Sequence, residues 1–356
     1  MISATCGCCM NCHCRRCSPE TPLAERGVAL VVALLVFGLC AALMVAMQRE
    51  FALFAQRGAN LFLQDQGYAY LRGAEELAAV ALVMDHDADQ SRAQPRDDKN
   101  EIWAQQATPY PLDEGGWLVG SLQDLQGRFN LNTLAAAPTE PGEAGVSERF
   151  TPAEAFFIRL LQALPEAALG QAEAVTVTRA IGDWLDEDSI PRAFGAEDDV
   201  YSGQTPAYRA ANHPMASVSE LRAVANMTPQ LYVALAPWVT VWPRTPAPLN
   251  IHTASLPLLR AINGDGELVP LSEAQGEALW QTQQEEGGFA DLETFLANSV
   301  FGEKTMTDAG SLLGESSSWF LLSAEVEVAE RKMRLYSVLQ RDKREVRPIV
   351  RAMGSL

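Results

Sequence analysis

The sequence has 356 residues, 48% of them hydrophobic, with 27 Lys and Arg against 45 Asp and Glu and a formal net charge of −18. That length suits two or three domains and the apolar content excludes a disordered chain. The acidic balance argues against a general nucleic-acid binder and favours divalent cations or basic partners. Four His leave little for an imidazole-rich metal site.

Seven Cys are unevenly placed: Cys6, Cys8, Cys9, Cys12, Cys14 and Cys17 crowd the start, and Cys40 sits in an apolar run. The rest of the chain therefore has no disulfides to rely on. The thiol cluster lacks two CxxC pairs flanking a foldable stretch, so it reads as a removable leader or an early start upstream of Met10 rather than a metal site.

Val28 to Met47 (VALVVALLVFGLCAALMVAM) contains no charge. Twenty helical residues at ~1.5 Å each span roughly 30 Å, one bilayer core. Arg15, Arg16 and Arg26 precede it against Glu20 and Glu25, which favours a cytoplasmic N-terminus. No Pro occurs between Pro22 and Pro95, and Phe51, Phe54, Leu61, Tyr68, Leu71, Ala74 and Ala78 recur at helical spacing. One helix is expected to about Val83, followed by a polar loop from Asp85 to Lys99.

A leader ending in Arg26-Gly27, an apolar helix starting at Val28 and an amphipathic continuation resemble type IV pilins and type II secretion pseudopilins. The resemblance implies a prepilin peptidase cutting after Gly27 and N-methylation of Val28. Most members carry Glu at the fifth mature position, where it pairs with a neighbour's terminal amine. Here that position is Val32. A carboxylate in lipid is costly unless paired, so its absence suits a subunit with nothing above it. Within the family the missing Glu is typical of the K-type minor subunit.

Gly116 to Asp124 (GWLVGSLQD) alternates as a strand, and Arg128 to Asn132 (RFNLN) reads as a second after a turn at Leu125-Gln126-Gly127. The string LQGRFNLN is similar to the K-type pattern at this place. Residues 135–145 read as an Ala/Pro/Gly/Glu linker. Thr151-Pro152-Ala153-Glu154 is a capping-box start, and further helices are expected at about Gln171 to Leu185, after Ser217, after Thr228-Pro229 and after Ser272. Trp319 to Val328 and Met333 to Leu339 alternate as a hairpin about Glu330-Arg331. Strands on both sides of a helical block imply an α+β fold. In it a long N-terminal transmembrane and amphipathic helix packs on an antiparallel sheet with a large all-α insertion. The expected segments are leader 1–27, helix 28–84 with its membrane part 28–47, core strands 85–134, helical insertion 135–310 and C-terminal strands 311–356. The insertion is expected as two subdomains, about 150–243 and 248–305. The resemblance covers about residues 28–345.

Asp183 to Asp199 (DWLDEDSIPRAFGAEDD) holds seven carboxylates and one base, Arg192. Like charges in one loop raise one another's pKa unless a cation neutralises them. Oxygen ligands on a flexible loop suit Ca²⁺, although the EF-hand spacing is absent. The alternative is a solvated acidic surface. The resemblance, whose corresponding region binds calcium, favours the metal, with Asp186, Asp188, Glu197, Asp198 and Asp199 as ligands and Asp183 structural. Acid–base catalysis lacks a nucleophile here, and neither His213 nor His252 is placed as a base. No catalytic residue is therefore assigned.

Leu249 to Ile262, the Ser272 helix and Gly287-Gly288 form a competing pattern, a helix-hairpin-helix module. Its DNA-binding form offers backbone N–H groups to phosphate. Asp265 and Glu267 stand where the phosphate would be, so the module reads as scaffold and nucleic acid is not expected as a partner. The resemblance implies a non-enzymatic minor pseudopilin at the tip of a periplasmic pseudopilus, single-pass in the bacterial inner membrane. It would initiate assembly and support export of folded proteins. The implied partners are I-type and J-type minor pseudopilins, the major pseudopilin and the prepilin peptidase. The alternative is a pilin-like component of a type IV pilus or DNA-uptake machine.

Overall fold

The computed structural model describes residues 23–92, 95–105, 107–113, 115–136 and 150–354. The cysteine-rich start and residues 137–149, which include most of the expected 135–145 linker, lie outside them. The chain divides into two compact units, 1–64 and 65–356. The part of helix α1 (Leu23–Asp89) that belongs to the first carries Gly27, Val28 and Val32 in its apolar run. Its side chains from Val28 to Met47 are almost all exposed, and this helix is long and apolar enough to cross a membrane.

In the second unit, the end of α1 lies on an antiparallel sheet. Strands β1 (Tyr110–Pro111) and β2 (Gly116–Asp124) are followed by the short β3 (Phe129–Asn130). The helical block then runs through α2 (Pro152–Ala163), α3 (Gln171–Leu185), α4 (Asp198–Ser202) and α5 (Pro229–Leu235). Short strands β4 (Val239–Thr240) and β5 (Leu249–Asn250) lead to α6 (Leu256–Ala261), α7 (Glu273–Glu286), α8 (Leu292–Leu296), α9 (Thr307–Ser311) and β6 (Leu313–Gly314). The chain closes with β7 (Trp319–Val328), β8 (Arg331–Asp342) and β9 (Glu345–Met353). The main sheet has the order β1-β2-β7-β8-β9 with every pair antiparallel. This is the α+β fold expected from sequence, with the helical block inserted between β2 and β7.

Three details differ from expectation. Helix α1 continues to Asp89, past the expected end near Val83. Its last turns carry Asp85 and Asp89, which look like loop residues in sequence but are buried against basic partners. The expected strand 128–132 shortens to Phe129–Asn130 and turns into a 3-10 helix, Leu131–Ala135. The reason is local: the Asn130 carboxamide accepts from Asn132 N–H, and Thr133 Oγ1 donates to the Asn130 carbonyl. The turn buries Leu131 and Leu134 instead of alternating them, and β3 pairs in parallel with β4. Finally, the C-terminal hairpin gains a third strand, β9.

Capping follows the sequence closely. Thr151 Oγ1 accepts from Glu154 N–H at 3.1 Å, and Glu154 Oε2 accepts from Thr151 N–H at 2.8 Å, closing both arms of the box at α2. One apolar core runs from Leu125 and Phe156 through Trp184, Leu258 and Phe301 to Leu321 and Val338, joining the helical block to the sheet.

Buried ion pairs fasten α1 to that sheet. Glu75 takes two bonds from Arg351, at 2.8 and 2.9 Å, and one from Ser337 Oγ at 2.7 Å. Burial pushes its carboxyl up, but these partners outweigh that and hold it below the usual Glu range. Arg341 donates to Asp85 at 2.8 Å, to Asp97 and to the Ser317 carbonyl at 2.8 Å. Arg92 bridges Asp89, at 2.9 Å, and Glu101.

Burial first, and neighbouring carboxylates next, push Asp89 up to about 6. Burial also dominates at Asp85, raised to about 6, and at Glu101, raised to about 7. The folded state therefore keeps protons that the unfolded chain releases near pH 4. The resulting stabilisation is present in acid and is lost as pH rises through about 6 to 7. Denaturant unfolding in chelator should thus give a higher stability at pH 5 than at pH 8. Asp89→Asn should flatten that slope, and an unchanged slope in this variant would contradict the assignment.

Candidate functional site: a carboxylate cage at the end of α3

Helix α3 delivers Asp183 at its last turn and stops at Asp186, whose N–H caps the Gly182 carbonyl at 3.0 Å. Pro191 and Gly195 keep the next residues from continuing the helix. The chain restarts as α4 with Glu197 at its N-cap. Beneath the loop, Trp184 packs edge-on against Tyr201 at 5.2 Å, fixing α3 to α4.

Asp183 organises the loop from below. It is fully buried and accepts from Arg192 N–H at 3.2 Å and from Ala196 N–H at 2.8 Å. A Cβ at Gly195 would stand 1.9 Å from Asp183 Oδ2, so only glycine lets the loop cross here. Burial pushes Asp183 up to about 6. Arg192 is the counter-charge. Its Nη2 donates to Asp186 Oδ2 at 2.9 Å and to the Ala135 carbonyl at 3.1 Å. Its Nη1 donates to Glu154 Oε1 at 3.2 Å and to the Leu134 carbonyl at 3.1 Å. Arg179 completes the pairing of Glu154 at 2.8 Å.

Above this network, carboxylate oxygens of Asp186, Asp188 and Glu197 all lie within 4.8 Å of one another. Glu197 is 2% exposed, and neither of its oxygens receives a hydrogen bond among the described residues; nor does Asp186 Oδ1. Burial, then repulsion from Asp183, Asp186 and Asp188, pushes Glu197 up to about 7. Burial likewise raises Asp186, with Arg192 opposing. Asp188 is exposed and holds the loop through Ile190 N–H at 2.8 Å. Buried acceptors without donors are rare and costly. An all-oxygen set of this kind suits a hard cation such as Ca²⁺ and does not suit a soft metal.

Of the five ligands expected from sequence, three converge. Asp198 instead accepts from Ala210 N–H at 3.0 Å and faces Arg209 at 3.8 Å, and Asp199 is exposed in the first turn of α4. Neither joins the group of oxygens around Glu197. Sequence reading missed Glu154, which sits far from the loop in sequence yet pairs with its base, and Arg179, which shares that carboxylate. Only the capping-box pattern marked Glu154.

The acidic residue of the helix-hairpin-helix turn is engaged within the protein. Asp265 accepts from the N–H groups of Thr307, Asp308 and Ala309 at 3.0 to 3.3 Å, capping α9. His252 is buried, and its Nδ1 accepts from Phe289 N–H at 3.0 Å. Burial first, and Arg96 next, pushes it down to about 4, so the ring is neutral packing material.

A family model for the type II secretion system (T2SS), protein K, matches residues 127–244. The chain is 32% identical over 343 residues to the type II secretion system protein K of Pseudomonas aeruginosa, covering 93% of each. It is 33% identical over 330 residues to that of Aeromonas hydrophila, covering 90% of this chain and 94% of the relative. The chain belongs to the type II secretion system protein K family. The fold agrees with a chain in the crystal structure of the GspK–GspI–GspJ complex from enterotoxigenic Escherichia coli, at a TM-score of 0.69 and 24% identity. That match covers 84% of this chain and 100% of the other. The carboxylate cage of this chain lies inside the span of the family model, on the helical block rather than on the sheet.

Replacing Glu197 by Gln keeps the shape and removes a buried charge with no donor. In chelator, Glu197→Gln should raise stability by ~1–3 kcal/mol, read as a higher denaturant midpoint. A lower midpoint would mean that the cage is balanced without a cation.

Proposed function

We propose that this chain is a minor pseudopilin at the tip of a periplasmic pseudopilus. In this reading it is anchored in the inner membrane by the apolar run of α1 and its acidic loop holds Ca²⁺. The signal peptidase step is cleavage after Gly27 by a prepilin peptidase, with N-methylation of Val28. Val32 is the observation that carries the tip position. A subunit inside the filament gains from a carboxylate at the fifth mature residue, and one at the end has no neighbour above to pair with it. Assembly with I-type and J-type minor pseudopilins, and then with the major pseudopilin, is supported by the likeness to a chain from a GspK–GspI–GspJ complex. From the tip such a complex would start the pseudopilus and support export of folded proteins.

Asp186, Asp188 and Glu197 would hold the ion, with Arg192 and Asp183 shaping the loop around them. The cation would neutralise like charges that otherwise oppose folding of this corner. The role is structural: it rigidifies the loop that ends α3.

Thermal unfolding of the full chain in detergent, with Ca²⁺ and with EGTA, tests the metal. A native-state ligand at a hundredfold excess over Kd adds ~2.7 kcal/mol, so the melting temperature should rise by several degrees. Asp186→Ala with Asp188→Ala should abolish the rise. Coincident curves for the unmodified chain would leave the loop a solvated acidic surface.

The tip assignment is checked in cells that carry the rest of the system. The mature chain should begin with N-methylated Val28 by mass spectrometry and should co-purify with the I-type and J-type subunits in equal amounts. Recovery with the major pseudopilin alone, in excess and without those subunits, would overturn it.

A further inference from the structure

Outside α1, the two most exposed large apolar side chains among the described residues are Ile190, at 75%, and Phe194, at 69%. Both stand on the loop that follows α3, four residues apart. The fold gains nothing from either as apolar surface. Phe194 also has φ +66, a left-handed conformation that a bulky residue rarely adopts. Asp183 imposes it by gripping Arg192 N–H and Ala196 N–H on either side of the turn, while Gly195 N–H closes on the Arg192 carbonyl at 2.8 Å. Ile190 is set by its own N–H bond to Asp188. The loop thus holds two apolar side chains outward on a fixed backbone, one of them in a conformation that Gly would adopt at no cost.

We propose that Ile190 and Phe194 form a docking knob for a partner protein whose surface offers an apolar socket rimmed by Lys or Arg. Rigid apolar anchors at the centre of a patch are what carry affinity in protein interfaces. The rim chemistry follows from the loop's charge. Seven carboxylates against Arg192 give a formal charge of −6, and one bound divalent cation would still leave −4. Exposed Glu187, Asp188 and Asp199 surround the knob in sequence. Such a field repels anionic lipid and acidic surfaces and draws in a basic one. The knob goes beyond the tip assignment and does not depend on the ion, because its backbone is fixed by Asp183.

The test uses the full chain, in detergent for unfolding and in cells with the remaining secretion machinery for export. Phe194→Gly should leave the melting temperature unchanged or raise it, because glycine accepts the left-handed conformation. Phe194→Gly with Ile190→Ser should cut export of a secreted enzyme at least fivefold. A benzophenone amino acid at position 194 should give a protein adduct in isolated cell envelopes, with a yield that falls severalfold between 50 and 500 mM salt. A melting temperature lowered by several degrees in Phe194→Gly would make the ring structural and overturn the proposal. Unchanged export in the double variant, an adduct with lipid, or no adduct would overturn it as well. The Ca²⁺-dependent rise in melting temperature should persist in the double variant. Failure of that rise in the unmodified chain would sink the ion reading alone and leave the knob standing.

Discussion

The corner that bears the functional site depends on one buried guanidinium. Arg192 reaches from the loop into the base of the helical block and meets Glu154 of α2, Asp186 at the end of α3, and the carbonyls of Leu134 and Ala135. A guanidinium enclosed this far is costly unless it is paired. That requirement propagates outward. Residue 182 must be Gly, because a Cβ there would stand 2.2 Å from Arg192 Nη1. Asp183 must be free to take the loop's N–H groups, and Glu154 must serve both its own capping box and two arginines. The loop's course, the position of Glu197 and the outward set of Phe194 all follow from where Arg192 is held.

Two groups of buried carboxylates illustrate how balance decides chemistry. Asp85, Asp89 and Asp97 also bring ligand oxygens within 4.8 Å of one another. Arg341 and Arg92 neutralise that group, and Ser317 N–H adds a donor to Asp97 at 2.7 Å. It is a clasp between helix and sheet. Around Asp186, Asp188 and Glu197, Arg192 is already shared with Glu154 and Asp183, and Glu197 is left with no donor. The same residue types therefore make an ion-paired lock in one place and a cation candidate in the other. Proximity of acids does not separate the two cases; the supply of donors does.

The arrangement suits a protein that works by assembly. The sheet and the end of α1 form one clasped body, and the helical block adds bulk between β2 and β7 without breaking the sheet's order. The exposed acidic loop sits on that added bulk.

Sequence alone determined what depends on local pattern. The uncharged run from Val28, the missing carboxylate at Val32, the capping boxes and the alternation of β2, β7 and β8 are all short-range properties of periodicity and charge. They were sufficient for the α+β architecture and for locating the acidic loop. Tertiary structure alone decided which acids converge. Asp198 and Asp199 follow Glu197 in sequence, but Asp198 is taken by Ala210 N–H and Asp199 is left exposed. Glu154 lies 38 residues before Arg192 and reaches both it and Arg179 only because α2 packs on α3. The bend after Asn130 and the buried end of α1 were hidden for the same reason. Their polar residues looked solvated until the partners, distant in the chain, were brought within hydrogen-bond reach.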